Sequence, residues 1–295
     1  LCGKMFDVPV KGAHAHSWIM SFPDELTAFR TYAKLYPSAC ILLVDTYDTL
    51  NSGIPNAIKV FKEMREAGIP LTFYGIRLDS GDLAYLSKKA KKMLDAAGFP
   101  DAVISASNDL DETLISSLKL QGAAINSWGV GTNLITSKDC PSFGGVYKLA
   151  AVEDGDGKII PKIKVSENLD KITIPHFKKT YRIFDNATGK AEADYITVWD
   201  ETVDESAPLE LFDPRATWKR KTYTNFTAKP LQVPVFQGGE LVYQLPALPE
   251  IQAYCRAQVD TLWDTVKRFE NPHTYYVDLS QKLFDIKQDL LCRSR

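Results

Sequence analysis

The chain has 295 residues, 45% of them hydrophobic and 24% charged, with 35 basic against 37 acidic side chains and a net charge of −2. That balance can build a sizeable buried core, lies outside the strongly basic class that binds nucleic acid, and contains no apolar run long enough to span a bilayer. The five cysteines, at positions 2, 40, 140, 255 and 292, show no paired metal spacing, and their odd number argues against a secreted disulfide framework, so a reducing cytoplasm is expected.

The first five residues, Leu1-Cys2-Gly3-Lys4-Met5, read neither as a start nor as a secretory signal. A strand is expected over 8–11 and a helix over about 23–35, separated by Gly12-Ala-His14-Ala-His16-Ser-Trp18. Apolar runs at 41–44, 71–76, 103–106 and 125–130 each precede a polar or glycine-rich turn and read as parallel strands. Between them lie amphipathic patterns, clearest in Leu83, Leu86, Ala90, Met93, Leu94 and Ala97, with Lys88, Lys89, Lys91 and Lys92 on the opposite face. This repeat predicts an α/β barrel or a doubly wound sheet, folds in which ligands meet the carboxyl ends of strands. From about residue 149 the pattern becomes mostly β, with stretches at 146–152, 159–165, 181–184 and 231–236. A helix over 249–269 follows, with Ile251, Tyr254, Val259, Leu262, Trp263 and Val266 as its packing face, and another over about 280–291. Two domains are expected, 1–148 carrying the site and 149–295 as a β-rich extension with C-terminal helices.

The strand ends are uniformly polar or glycine-rich: Asp45-Thr46-Tyr47-Asp48, Arg77 to Asp82, Ser107-Asn108-Asp109, and Gly129-Val130-Gly131-Thr132-Asn133. Arg77 can fork onto phosphate or carboxylate oxygens, Asp79 can accept ribose hydroxyls, and the backbone at Ser80-Gly81 permits close approach, which together suit a phosphorylated sugar. Helix capping competes for several of these residues: Asp82 fits the start of the 83–97 helix, and Asp109 with Glu112 and Ser21 with Asp24 have capping-box spacing. The Gly129-x-Gly131 pair with Thr132 suits a phosphate nest, although the missing lysine and serine exclude a Walker-type loop. His14 and His16 lie two apart, so only one is expected to face a ligand. Without a nearby cysteine or third histidine, nucleophilic or acid-base work fits that imidazole better than zinc. A barrel aldolase or lyase with Lys11 as Schiff-base lysine is a rival reading.

The runs GAHAHSW, LLVDTYDTL, SGIPNA, GIRLDSGDLAYLSKKA, ASNDLDE, SWGVGTNLIT, GGVYKLAAV and PKIKVSEN closely resemble the nicotinate phosphoribosyltransferases, and the likeness runs from near Leu1 to the end. The resemblance implies an irregular α/β barrel with a second domain, here entered partway through because an N-terminal part is absent. The implied activity joins nicotinate to phosphoribosyl pyrophosphate, giving nicotinate mononucleotide and pyrophosphate, with Mg²⁺ and with ATP hydrolysis coupled through a phosphohistidine. The implied assembly is a cytoplasmic homodimer with sites near the interface.

Carried over by position, the resemblance implies His16 as the phosphorylated histidine and Arg77 as the partner of the nicotinate carboxylate. It places Asp79, Asn108 and Asp109 on the ribose, with Asp79 and Asp109 stabilising developing positive charge, and Ser80 beside them. Gly129, Gly131 and Thr132 would receive the 5′-phosphate, and Lys138 with Ser142 would reach a phosphate, in the same or a neighbouring subunit. Ala13 stands where the family has threonine, a loss of one hydrogen bond worth about 1 kcal/mol. Asp45 or Asp48 would orient the imidazole. The remaining alternatives are a nicotinamide-type enzyme and a truncated, non-catalytic fragment that binds phosphoribosyl metabolites.

Overall fold

In the computed structural model, which describes residues 1–10, 12–142 and 144–293, the chain divides into two compact units, Leu1–Gly144 and Gly145–Arg295. The first opens with helices α1 (Cys2–Phe6), α2 (His16–Met20) and α3 (Glu25–Leu35). Three of the predicted apolar runs become fully or alternately buried strands β1 (Cys40–Leu43), β2 (Tyr74–Leu78) and β3 (Val103–Ala106), and the fourth contracts to β4 (Ser127–Trp128). Helices α4 (Ile54–Glu66), α5 (Leu83–Ala96), α6 (Glu112–Leu120) and α7 (Thr132–Ile135) alternate with them. The strands pair in parallel in the order β1-β2-β3-β4, with Leu42 opposite Ile76 and Ile76 opposite Ile104.

Of the strand expected over 8–11, the described residues 8–10 form none. Residues 7–10 are irregular, Pro9 has no N–H to give a ladder, and Val10 is 77% exposed. Lys11, the Schiff-base candidate, lies outside the described residues.

Helix starts follow local chemistry. Asp24 accepts from the Thr27 amide at 2.8 Å, Asp82 from Tyr85 at 2.9 Å, and Asp111 from Leu114 at 2.7 Å. Asp109 therefore does not cap α6, contrary to the spacing argument, because the chain needs two further residues to turn into the helix. Between sheet and helices, Phe61 lies edge-on to Tyr74 and Phe99 at centroid distances of 5.1 and 5.7 Å. Phe61 and Phe99 are fully buried, each worth about 1.5–3 kcal/mol in apolar burial. Gly75 is dictated by this packing: a Cβ there would fall 2.0 Å from the Val103 carbonyl oxygen of β3.

The second unit holds the hairpins β5 (Ala151–Glu153) with β6 (Ile159–Pro161) and β7 (Lys178–Asp185) with β8 (Ala191–Val198). It continues with the hairpin of β9 (Leu209–Asp213) and β10 (Ala216–Tyr223), then β11 (Phe226–Pro230) and the pair β12 (Phe236–Gln237) and β13 (Glu240–Leu241). Helices α8 (Leu248–Thr261) and α9 (Asp264–Lys267), strand β14 (Tyr276–Leu279) and helix α10 (Gln281–Arg293) complete it. The main sheet runs β11-β7-β8-β14, antiparallel except for the β8–β14 pair. Arg182 grips Asp194 through Nε (2.8 Å) and Nη2 (3.1 Å), and the Tyr275 hydroxyl donates to the same carboxylate at 2.9 Å.

Two expectations fail here. The helix over 249–269 breaks after Thr261 because Leu262 and Trp263 take extended dihedrals, and Ile251, Tyr254 and Val259 are 47%, 59% and 46% exposed rather than packed. The strand expected over 231–236 begins only at Phe236, since the ladder with β7 has already ended at Pro230. No helix among the described residues is long and apolar enough to cross a membrane, and all five cysteines are free, Cys40 alone being buried.

Candidate active site

The parallel register sets the site. Leu43, Arg77 and Ser105 are paired across β1, β2 and β3, so the residues just beyond them emerge together at the carboxyl edge. Asp45 follows β1, Arg77 and Asp79 bracket the end of β2, and Ser107 follows β3. Asp45 ties the first two ends together, its Oδ2 accepting from the Asp79 amide and from the Ser80 hydroxyl, both at 2.7 Å. Its Oδ1 is buried and has no hydrogen-bond partner among the described residues.

His16, at the start of α2, leans into this edge. Nδ1 lies 3.0 Å from Thr46 Oγ1, and Nε2 lies 3.5 Å from Asp79 Oδ2 and 3.9 Å from Asp45 Oδ1. Its side chain remains 37% exposed, open to an incoming group. His14 has the opposite environment. It is 7% exposed, its Nε2 accepts the Leu43 amide at 3.3 Å, and its ring meets Tyr32 edge-on at 4.5 Å. Burial drives its pKa down to about 4, which keeps the ring neutral near pH 7.

Arg77 donates through Nε to Ser107 Oγ (2.7 Å), through Nη2 to Asp79 Oδ1 (2.9 Å) and, at the limit of hydrogen bonding, through Nη1 to the His14 carbonyl (3.5 Å). Ser107 donates in turn to Asp79 Oδ1. Burial pushes the Asp79 carboxyl upward, but the hydrogen bonds from Ser107 and Arg77 and the adjacent positive charge outweigh it and hold its pKa below the ordinary value.

The two remaining loops are linked to each other. Asn108 and Asp109 take positive φ values of 87° and 43°, a conformation that Asn and Asp tolerate better than other non-glycine residues. Asn133 Nδ2 donates to the carbonyls of Asp109 (2.9 Å) and Leu110 (3.2 Å), fastening the glycine loop to the β3 end. The Gly129 amide is already committed to the Ala106 carbonyl at 2.7 Å, so it is not a free phosphate donor as the Gly-x-Gly reading supposed. A Cβ at Gly131 would meet nothing within 4 Å, and Thr132 beside it is exposed.

Lys138 and Ser142 are not brought to this cluster. Lys138 lines a cavity of about 350 Å³ with Asp111, Glu112, Val130, Asn133 and Asp139, on the glycine-loop side and without His16, Arg77 or Asp79 in its lining, and Ser142 is exposed, its carbonyl accepting from the Cys140 thiol. Asp48 is a cap, accepting the Leu50 and Asn51 amides at 3.1 and 2.9 Å, so of Asp45 and Asp48 it is Asp45 that stands beside His16, with Asp79. Thr46 and Ser107 are the contacts that sequence reasoning did not assign, although both stood within the polar strand ends it singled out. Among the described residues no group of three or more His, Cys, Asp or Glu is arranged to hold a metal.

The family model described as the nicotinate phosphoribosyltransferase C-terminal domain matches residues 177–287. The nicotinate phosphoribosyltransferase of Bacillus subtilis is 50% identical over 285 residues, covering 97% of this chain and 57% of that protein. Over nearly its whole length the chain is similar to nicotinate phosphoribosyltransferases. Their Dictyostelium discoideum member is 33% identical over 338 residues, covering 97% of this chain and 56% of its own length. This chain therefore spans about half the length of the curated relatives it matches. The crystal structure of human nicotinic acid phosphoribosyltransferase matches with a TM-score of 0.74 and 25% identity, over 98% of this chain and 63% of that one. A nicotinate-nucleotide pyrophosphorylase from Pyrococcus furiosus matches with a TM-score of 0.59 and 19% identity over 88% of this chain and 57% of its own, a likeness of fold.

Proposed function

We propose that this chain carries the catalytic strand ends of a nicotinate phosphoribosyltransferase, which joins nicotinate to phosphoribosyl pyrophosphate and releases nicotinate mononucleotide and pyrophosphate. The observation that carries the reading is the convergence of His16, Asp45, Arg77 and Asp79 at the carboxyl edge of consecutive parallel strands, in a chain 50% identical to the Bacillus subtilis relative. The same consecutive strand order supports reading the sheet as part of an α/β barrel, since a doubly wound sheet reverses its order. Residues 1–148 then form the site-bearing domain and 149–295 the extension.

Attack of the pyridine nitrogen on the anomeric carbon leaves positive charge on the ribose as pyrophosphate departs, so groups of both signs must be fixed in advance. Asp79, held ionised by Arg77 and Ser107, supplies a carboxylate oxygen to the sugar on its Oδ2 side, with Asn108 and Asp109 along the adjacent strand end. Arg77 has three of its five N–H donors engaged and turns the others to the nicotinate carboxylate. Thr132, beside the open space at Gly131, takes the 5′-phosphate, while Lys138 and Ser142 act on a phosphate only if the segment carrying them meets a second subunit.

The ATP step assigns the nucleophile to His16. Thr46 fixes one ring nitrogen and the carboxylates of Asp45 and Asp79 flank the other. Asp45, with its unpartnered buried Oδ1, and Asp79 would hold Mg²⁺, a donor set suited to an ion that keeps most of its shell from substrate phosphates and water. That ion would neutralise phosphate charge. A cytoplasmic homodimer belongs to the same proposal.

The experiment is chromatographic detection of product from phosphoribosyl pyrophosphate and Mg²⁺ with nicotinate or nicotinamide, with and without ATP. Nicotinate mononucleotide, stimulated by ATP, is the expected product. Product only from nicotinamide would transfer the chain to that rival class, and binding of phosphoribosyl pyrophosphate without turnover would make it a non-catalytic relative.

A further inference from the structure

Ser107 sits one residue past β3 and is 7% exposed, yet its hydroxyl is the hub of the site. Its own amide donates to the Leu78 carbonyl at 2.9 Å, extending the β2–β3 ladder and fixing the Cα that carries the hydroxyl. A Cβ built on Gly129 would lie 3.4 Å from the Ser107 Cβ, so the β4 end closes over it from the other side. The hydroxyl has one proton and one commitment for it: it accepts Nε–H of Arg77 and donates to Asp79 Oδ1. Asp79 Oδ1 thereby takes two donors, Arg77 Nη2 and Ser107 Oγ, while Oδ2 is left facing His16 at 3.5 Å. Without the hydroxyl the carboxylate keeps only the Arg77 Nη2 bond on Oδ1, and the guanidinium that makes that bond loses the anchor on its own Nε edge.

We propose that Ser107 is a positioning residue, whose hydroxyl decides which oxygen of Asp79 and which edge of Arg77 face the ligand. This rests on the functional reading above, in which Asp79 serves the ribose and Arg77 the nicotinate carboxylate. Ser107 touches neither substrate. Its effect is transmitted through two side chains two residues apart that bracket the end of β2, and it reaches from the end of β3 to lock both. A hydroxyl that merely filled hydrogen-bonding capacity would affect stability and leave substrate dependence alone.

The test compares Ser107→Ala, Ser107→Cys and Ser107→Thr in the intact protein, by steady-state kinetics for each substrate and by NMR of the Arg77 Nε–H resonance. Ser107→Ala is expected to raise the KM for nicotinate and for phosphoribosyl pyrophosphate about 10- to 100-fold, with the KM for ATP changed less than about threefold. Ser107→Cys, close to serine in size but a poor hydrogen-bonding group, is expected to follow Ala. Ser107→Thr is expected to recover most of both KM values. The Arg77 Nε–H signal should be protected from exchange in the wild type and in Thr, and unprotected in Ala and Cys. Unchanged substrate dependence in Ala and Cys, with a wild-type enzyme that turns over, overturns the positioning role alone. So does an equal loss in all three variants with the Nε–H signal still protected. A wild-type protein that neither forms product nor binds phosphoribosyl pyrophosphate in calorimetry overturns the functional reading itself.

Discussion

His14 and His16, two residues apart, are given over to different work: His14 Nε2 accepts the Leu43 amide inside the core, whereas His16 Nε2 stands 3.5 Å from Asp79 at the strand edge. His16→Ala should abolish ATP hydrolysis and its stimulation of nucleotide formation. His14→Ala should retain much of the specific activity at low temperature but lose about 2–4 kcal/mol of stability, through a cavity and an unpaired Leu43 amide. Parallel activity assays and denaturant melts separate the two, and equal loss of activity in both variants would contradict the assignment.

Acid should weaken the first unit through His14. Its folded pKa of about 4 lies below the model-peptide value of 6.5, so the unfolded chain binds the extra proton in that window. The stability held above pH 6.5 is therefore lost as pH falls toward 4, by up to about 3 kcal/mol for this group. His14→Gln, which keeps an acceptor for Leu43 but does not titrate, should flatten that part of the stability profile in denaturation at pH 7 and pH 4.5.

In the second unit the sign reverses. Asp278 is 5% exposed, and burial together with the Asp213 charge raises its pKa from 3.8 to about 6. Its penalty is absent below pH 3.8 and grows as pH rises through 6, by about 2–3 kcal/mol. Asp278→Asn should therefore stabilise this unit at pH 7.5 and have little effect at pH 4, measured by thermal unfolding at both values.

Gly75→Ala should lower stability by 3 kcal/mol or roughly that amount, because the added methyl would collide with the Val103 backbone rather than with a movable side chain. The loss would appear as a lower denaturation midpoint together with reduced activity, since Arg77 lies two residues farther along the same strand.

Arg77→Ala should raise the nicotinate requirement by about 10- to 100-fold and the ATP requirement far less, as judged by the separate KM values. An unchanged nicotinate dependence would reassign this guanidinium to a phosphate.

Much of the first unit is legible in the sequence because its strands are apolar runs buried in the core, such as 41–44 and 103–106, bounded by polar turns. The second unit is harder. Strand β10 reads Ala-Thr-Trp-Lys-Arg-Lys-Thr-Tyr and is exposed from Thr217 to Thr222, so no apolar alternation announces it. Asp45 and Asp48 are equivalent by composition, and only the turn that consumes Asp48 as a cap distinguishes them. Ser107 shows least of all, since its significance lies in a contact across two strands that no local pattern encodes.

The pairing of every strand in the parallel sheet with its immediate predecessor also bears on how the chain acquires its shape. Each β–α step can dock onto the strand already in place, so assembly can follow the order of synthesis with short loop closures rather than waiting for a distant segment. The two-residue β4, joined last and by the fewest ladder bonds, is then expected to open first. Its amides should exchange with solvent ahead of those in β2, which leaves the Asn133 side-chain bonds to the β3 end as the tie that holds the glycine loop in place.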